Sequence, residues 1–92
     1  MHIYLTVIVK AKPEYQQEIK NLLYRLPELS KQEEACIRYE VHQSLDDKTI
    51  FILNEEWESP EGLHFHNEQA YSKAFFSAFH KLQEQPIIYR SR

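Results

Sequence analysis

Glu55, Trp57 and His66 are the side chains whose types and spacing could carry chemistry in this chain. Glu55 alternates with Phe51, Leu53 and Trp57, and a carboxylate among apolar side chains is costly unless paired or hydrogen-bonded. It reads as a general base or the orienter of one. From the residues alone it reads more readily as a strand-end glutamate bonded to a backbone amide or a partner's arginine, since structural ion pairs also perturb carboxylates. Trp57 offers a flat surface for an aromatic ligand and one N–H donor, or it fills the corner between a strand and a helix. His66 falls on a stripe with Leu63, Ala70 and Ala74, which should face inward. An imidazole there can move a proton near neutral pH with little tuning, or it can sit as a satisfied core histidine.

The other reactive types give weaker signals. His64 and His66 are two apart, so on a helix they point to nearly opposite sides and cannot share an ion. No acidic third ligand follows at helical spacing, and a metal site is not expected. His2, His42 and His80 read as surface or edge residues. Cys36 is the only cysteine, which leaves no disulfide and no CxxC framework, and it reads as a small buried hydrophobe. No serine or cysteine can be joined to a histidine and an acid from spacing alone. Phe75, Phe76 and Phe79, near Tyr71, read as a core aromatic stripe.

The elements that must position these groups follow from periodicity. His2 to Lys10 alternates as a strand, with Ile3, Leu5, Val7 and Val9 on one face. Pro13 suits the first turn of a helix. Ile19, Leu22, Leu23 and Leu26 then recur at helical spacing until Pro27, which should break or kink the helix. Ile37 to Ser44 alternates again, with Ile37, Tyr39 and Val41 on one side. Leu45 to Lys48 is a turn whose acidic side chains can bond local amides, and Thr49 to Trp57 is a third strand. Ser59 caps and Pro60 opens a second helix, which runs to about Gln83 with an interruption near Asn67 to Gln69. Ile87 to Arg90 is a last short strand.

The order βαββαβ defines an α+β, ferredoxin-like sandwich over residues 1–92: a four-stranded antiparallel sheet with two helices on one face. Strands one and three are apolar on both faces, whereas a half-covered sheet should alternate. A second copy of the chain, packed sheet to sheet, is the simplest cover for the other face, so a homodimer is expected.

Composition narrows the function classes. Ninety-two residues support one core. A net charge of −3 with scattered basic residues argues against nucleic acid or an anionic membrane as the main partner. No segment approaches the roughly 20 apolar residues of a membrane helix. The alternating start does not look like a signal peptide, so a cytoplasmic location is the default. Gly62 is the only glycine, which excludes the glycine-rich phosphate loops of nucleotide sites.

With these elements in place, the motif order resembles the antibiotic biosynthesis monooxygenase family. The matching residues are Ser30, Lys31, Glu33, Cys36 and Tyr39, then Ser44, Asp46 and Asp47, then Phe51, Glu55, Trp57 and His66. The chain departs from the family pattern where Pro-Gly before the cysteine is Glu34-Ala35, where a proline after Asp-Asp is Lys48, and where a second histidine is Tyr71. If the backbone at Ala35 kept a positive φ, alanine would cost on the order of 1 kcal/mol.

The resemblance implies a homodimer forming an α/β barrel, and a cofactor-free oxidation of a small aromatic, quinol-like substrate by O₂. In that mapping His66 is the base or proton shuttle, and Glu55 is its orienter or a pocket anchor. Trp57, Tyr39 and Phe51 form the walls, completed by Tyr71 and Phe75. Haem-degrading members need an asparagine on the first strand, and residues 2 to 10 contain none. An isomerase of small phosphorylated diones would need a cationic pocket from Arg38, Lys73 or Arg90. A non-catalytic ligand-binding dimer is the third class.

Overall fold

A computed structural model describes residues 1–92. Strand β1, Ile3–Lys10, leads through a 3₁₀ turn at Pro13–Tyr15 into helix α1, Gln16–Ser30. Strands β2, Cys36–Gln43, and β3, Ile50–Trp57, form a hairpin. Helices α2, Pro60–Asn67, and α3, Ala70–Ser77, follow, then a 3₁₀ turn at Phe79–Lys81 and strand β4, Ile87–Ser91. The antiparallel sheet has the order β2-β3-β1-β4, so β3 lies between the two strands that α1 connects. This is the split βαβ arrangement of a ferredoxin-like fold. No helix is long and apolar enough to cross a membrane.

Period-two patterning places the core where expected. Ile3, Leu5, Val7 and Val9 of β1 and Phe51, Leu53 and Trp57 of β3 are buried under Ile19, Leu23 and Leu26 of α1. The β2–β3 turn is held by its own side chains. Ser44 Oγ accepts from the Asp46 and Asp47 amides, and Asp47 Oδ1 accepts from the Thr49 amide at 2.9 Å.

Three local expectations are corrected. Helix α1 runs through Pro27 to Ser30, so the proline does not break it. The proline forfeits one bond near the helix end, and burial of Leu23, Leu26 and Ser30 against the sheet offsets it. Ile37 does not share the Tyr39 face: Cys36 pairs with Trp57 and Arg38 with Glu56, which makes Ile37 the extra residue of a bulge and leaves it 47% exposed. Ala70 and Ala74 do not continue the inward stripe of His66 either. The break between α2 and α3 resets the helical phase, and Ser72, Phe75 and Ala78 turn inward instead.

Ala35 adopts no positive φ, so alanine carries no backbone strain there. Its methyl group packs on Gly62, in the first turn of α2, so closely that a Cβ on Gly62 would clash with it. Gly62→Ala should therefore lower stability by about 1–3 kcal/mol in chemical denaturation, although the same change in an open helix gains about 1 kcal/mol. Ala35→Gly in the same chain should restore most of the loss. A Gly62→Ala protein as stable as the parent would show that α2 does not rest on this turn.

The second sheet face carries Ile8 beside both Ile52 and Ile87, with Tyr4 and Tyr89 nearby. No helix of this chain packs over it.

Candidate active site

Glu33 lies in the turn between α1 and β2, fixed by its amide bonding to Ser30 O at 2.9 Å. The Ala35 carbonyl accepts from the Glu58 amide at 2.9 Å, which ties that turn to the start of α2. Ser59 Oγ caps the helix by accepting from the Gly62 amide at 3.0 Å. One turn further on, His66 reaches back, and its Nδ1 lies 2.7 Å from Glu33 Oε2. The same carboxylate oxygen accepts from the Tyr71 hydroxyl. On the other side of the ring, His66 Nε2 lies 3.3 Å from Ser72 Oγ.

Burial holds the His66 pKa below its ordinary 6.5, even though the Glu33 bond and charge push the other way. The ring is therefore neutral at pH 7. Beside a carboxylate, the Nδ1–H tautomer is favoured, which leaves the Nε2 lone pair toward Ser72. Glu33 Oε1 is buried with no hydrogen-bond partner, an energetic cost of the kind tolerated at working sites.

Glu55 does not orient His66. Its Oε1 accepts from Trp57 Nε1 at 2.9 Å, and burial pushes its carboxyl pKa up to about 7. The Trp57 ring packs against the imidazole with centroids 4.4 Å apart. Tyr39 meets both Trp57 and His66, and its hydroxyl pKa is raised well above 10 by burial and then by Glu55.

A cavity of about 80 Å³ opens between the sheet and the helices. Glu55, His66, Tyr39 and Phe75 line it, together with Ser72, Leu5, Val7 and Leu53. Phe76, Phe79, Pro86 and Ile88 also border it. The expected walls Trp57 and Phe51 do not reach it, because both are fully buried beneath the lining residues. Tyr71 lies behind His66 and faces a groove between α1 and α3. Glu33 and Ser72 were not among the expected site residues. Spacing places them on other elements, and only the folded chain brings them to His66.

The remaining candidates separate from this centre. Arg38 pairs with Glu40, Lys73 pairs with Glu68, and neither these two nor Arg90 lines the cavity, so it lacks the cationic lining an isomerase of phosphorylated diones needs. His64 is exposed on the opposite side of α2 from His66. No three His, Cys, Asp or Glu side chains converge as a metal site. The Cys36 thiol is pushed up to about 11 by burial and by Glu33 and Glu55, so it is not a thiolate nucleophile.

Comparison with known proteins adds the family context. The family model described as antibiotic biosynthesis monooxygenase matches residues 2–78. A Bacillus subtilis (strain 168) protein named "Putative monooxygenase YcnE" is 27% identical over 85 residues, covering 92% of this chain and 90% of that protein. A conserved protein from Methanosarcina mazei Go1 shares 31% identity at a TM-score of 0.88, over 100% of this chain and 92% of its own. Rv0793 from Mycobacterium tuberculosis superposes at a TM-score of 0.92 over 100% of this chain and 94% of its own. At 15% identity, that match speaks for the fold alone.

Proposed function

Since the chain belongs to the antibiotic biosynthesis monooxygenase family, we propose that it is a monooxygenase that oxidises a small phenolic or quinol-like substrate with O₂ and needs no cofactor. One observation carries this reading: a neutral, carboxylate-held imidazole faces a mostly apolar cavity between the sheet and the helices. His66 Nε2 takes the phenolic proton, and the resulting imidazolium is stabilised by Glu33. Apolar walls exclude the water that would otherwise solvate the phenolate and weaken it as a reductant. The anion passes an electron to O₂, the radical pair combines as a peroxide, and loss of water leaves the quinone. The substrate gives up two hydrogens and four electrons in all, and O₂ takes the four: one oxygen atom enters the substrate and the other departs as water with the two hydrogens.

The cavity is smaller than the roughly 300 Å³ or more of a typical ligand pocket. A ring system enters only when Phe76, Phe79 and Ile88 at its rim move outward. Oxygen uptake with a panel of naphthoquinols and anthrones, without added metal or flavin, tests the proposal. At least one substrate should consume O₂ well above its autoxidation rate with quinone as product, and a panel with no acceleration would remove the reading.

The assembly we propose is a homodimer in which a second copy covers the Ile8–Ile52–Ile87 face. Its mass at micromolar concentration should be twice that of the chain, and Ile52→Glu should convert it to a monomer. A monomeric parent protein would exclude this assembly.

A further inference from the structure

The oxidation chemistry uses Glu33 and His66 but gives no role to Ser72, which stands at the other end of the same ring. Glu33, His66 and Ser72 are 9, 6 and 4% exposed, and they stand in sequence: carboxylate to Nδ1 at 2.7 Å, then Nε2 to hydroxyl at 3.3 Å. A carboxylate that accepts from Nδ1 holds the lone pair at Nε2, and here that lone pair meets a serine hydroxyl. Acid, imidazole and hydroxyl in this relation are the parts of an acyl-transfer nucleophile, recognised by geometry and not by chain order. Spacing concealed it, because Glu33 precedes β2 while His66 and Ser72 sit on different helices.

We propose that Ser72 is the nucleophile of an esterase activity toward small acyl esters, with acetyl esters of phenols as the substrate class. His66 and Ser72 both line the cavity of about 80 Å³. That volume is small beside a typical ligand pocket of roughly 300 Å³ or more, which favours a short acyl group at Ser72. The apolar rim of Phe76, Phe79 and Ile88 suits an aryl leaving group. Ser72 also lies in the first turn of α3, whose amides have no intrahelical acceptor, and Gln69 makes no side-chain cap there. The amides of Ala70, Tyr71 and Ser72 in that turn are the candidate oxyanion donors.

In the first half of the reaction, Ser72 Oγ bonds to the ester carbonyl carbon as its proton passes to His66 Nε2. The aryl C–O bond breaks, His66 returns the proton to the aryloxide, and phenol leaves behind an acetyl-serine. Water then gives a proton to His66 and attacks the acetyl carbon. The bond to Ser72 breaks, the serine regains its proton from His66, and acetic acid departs. Nothing is oxidised or reduced.

The test uses the whole chain and p-nitrophenyl acetate under nitrogen, with the nitrophenolate burst followed and acid-quenched protein mapped by peptide mass. A burst near one equivalent per chain is expected, with acetyl on the peptide that contains Ser72. Ser72→Ala and His66→Gln should each lower the burst rate by about 100-fold or more. Ser72→Cys, with a nucleophile of similar shape, should still give an acylated residue 72 and controls for folding. An unchanged burst in Ser72→Ala, or acetyl only on lysine or tyrosine, would overturn the proposal. Because oxygen is excluded, failure here leaves the monooxygenase reading standing, and failure of O₂ uptake leaves this one standing.

Discussion

His66→Ala is expected to lower kcat for O₂-dependent oxidation by about 100- to 10,000-fold, the range a positioned general base contributes. The fold should survive, because the main new cost is a Glu33 carboxylate left with Tyr71 alone, on the order of 1–3 kcal/mol. Glu33→Gln separates a base from its support. Burial depresses the His66 pKa and the Glu33 bond and charge raise it, so removing the charge should lower it further. The acid limb of the rate–pH profile should then shift to lower pH while the plateau rate falls about 10-fold or more. A merely structural glutamate would lower stability without moving that limb. If the limb stays where it is and only the melting temperature drops, Glu33 does not tune the base.

What the sequence revealed of this centre, and what it hid, follows from the range of each interaction. The strands, the capped start of α2 and the inward placement of His66 are set by residues within a few positions of one another. Glu55 beside Trp57 is likewise a same-face pair on one strand, two residues apart. Glu33 is different. Its neighbours are polar, and nothing local says that a carboxylate in a turn will be buried against a histidine 33 residues later. Ser72 depends on a two-residue break in the helix, which changes which residues face inward by more than any periodicity can register. Ile37 failed for a similar reason, since one inserted residue in the hairpin flips the face. The family resemblance offered Glu55 as the orienter of His66 or as a pocket anchor, and the folded chain gives its carboxylate to the indole N–H while leaving it on the cavity wall.

Glu55→Gln is expected to stabilise the protein at alkaline pH, by about 3 kcal/mol near pH 9 and by little near pH 5. The carboxyl pKa rises from 4.5 to about 7 on folding because burial penalises the charge, more than the Trp57 bond relieves it. A group with a raised folded pKa binds protons more tightly in the native state, so stability is fully present below 4.5 and is lost as pH climbs through 7. That difference corresponds to roughly 3 kcal/mol. His66 acts in the opposite sense. Its folded pKa lies below 6.5, so its contribution is lost as pH falls below that value. The two partly cancel between pH 5 and 7 in the parent protein, and Glu55→Gln should leave only the histidine slope, with stability rising toward neutral pH. Glutamine still accepts from Trp57 Nε1, so the packing of the indole on His66 is kept. Urea denaturation across pH 5 to 9 reads both slopes. A variant less stable than the parent at pH 9 would mean that Glu55 is a satisfied structural carboxylate. A variant that is more stable yet slower in O₂ uptake would mark Glu55 as a charge kept in the cavity for function, at a cost in stability.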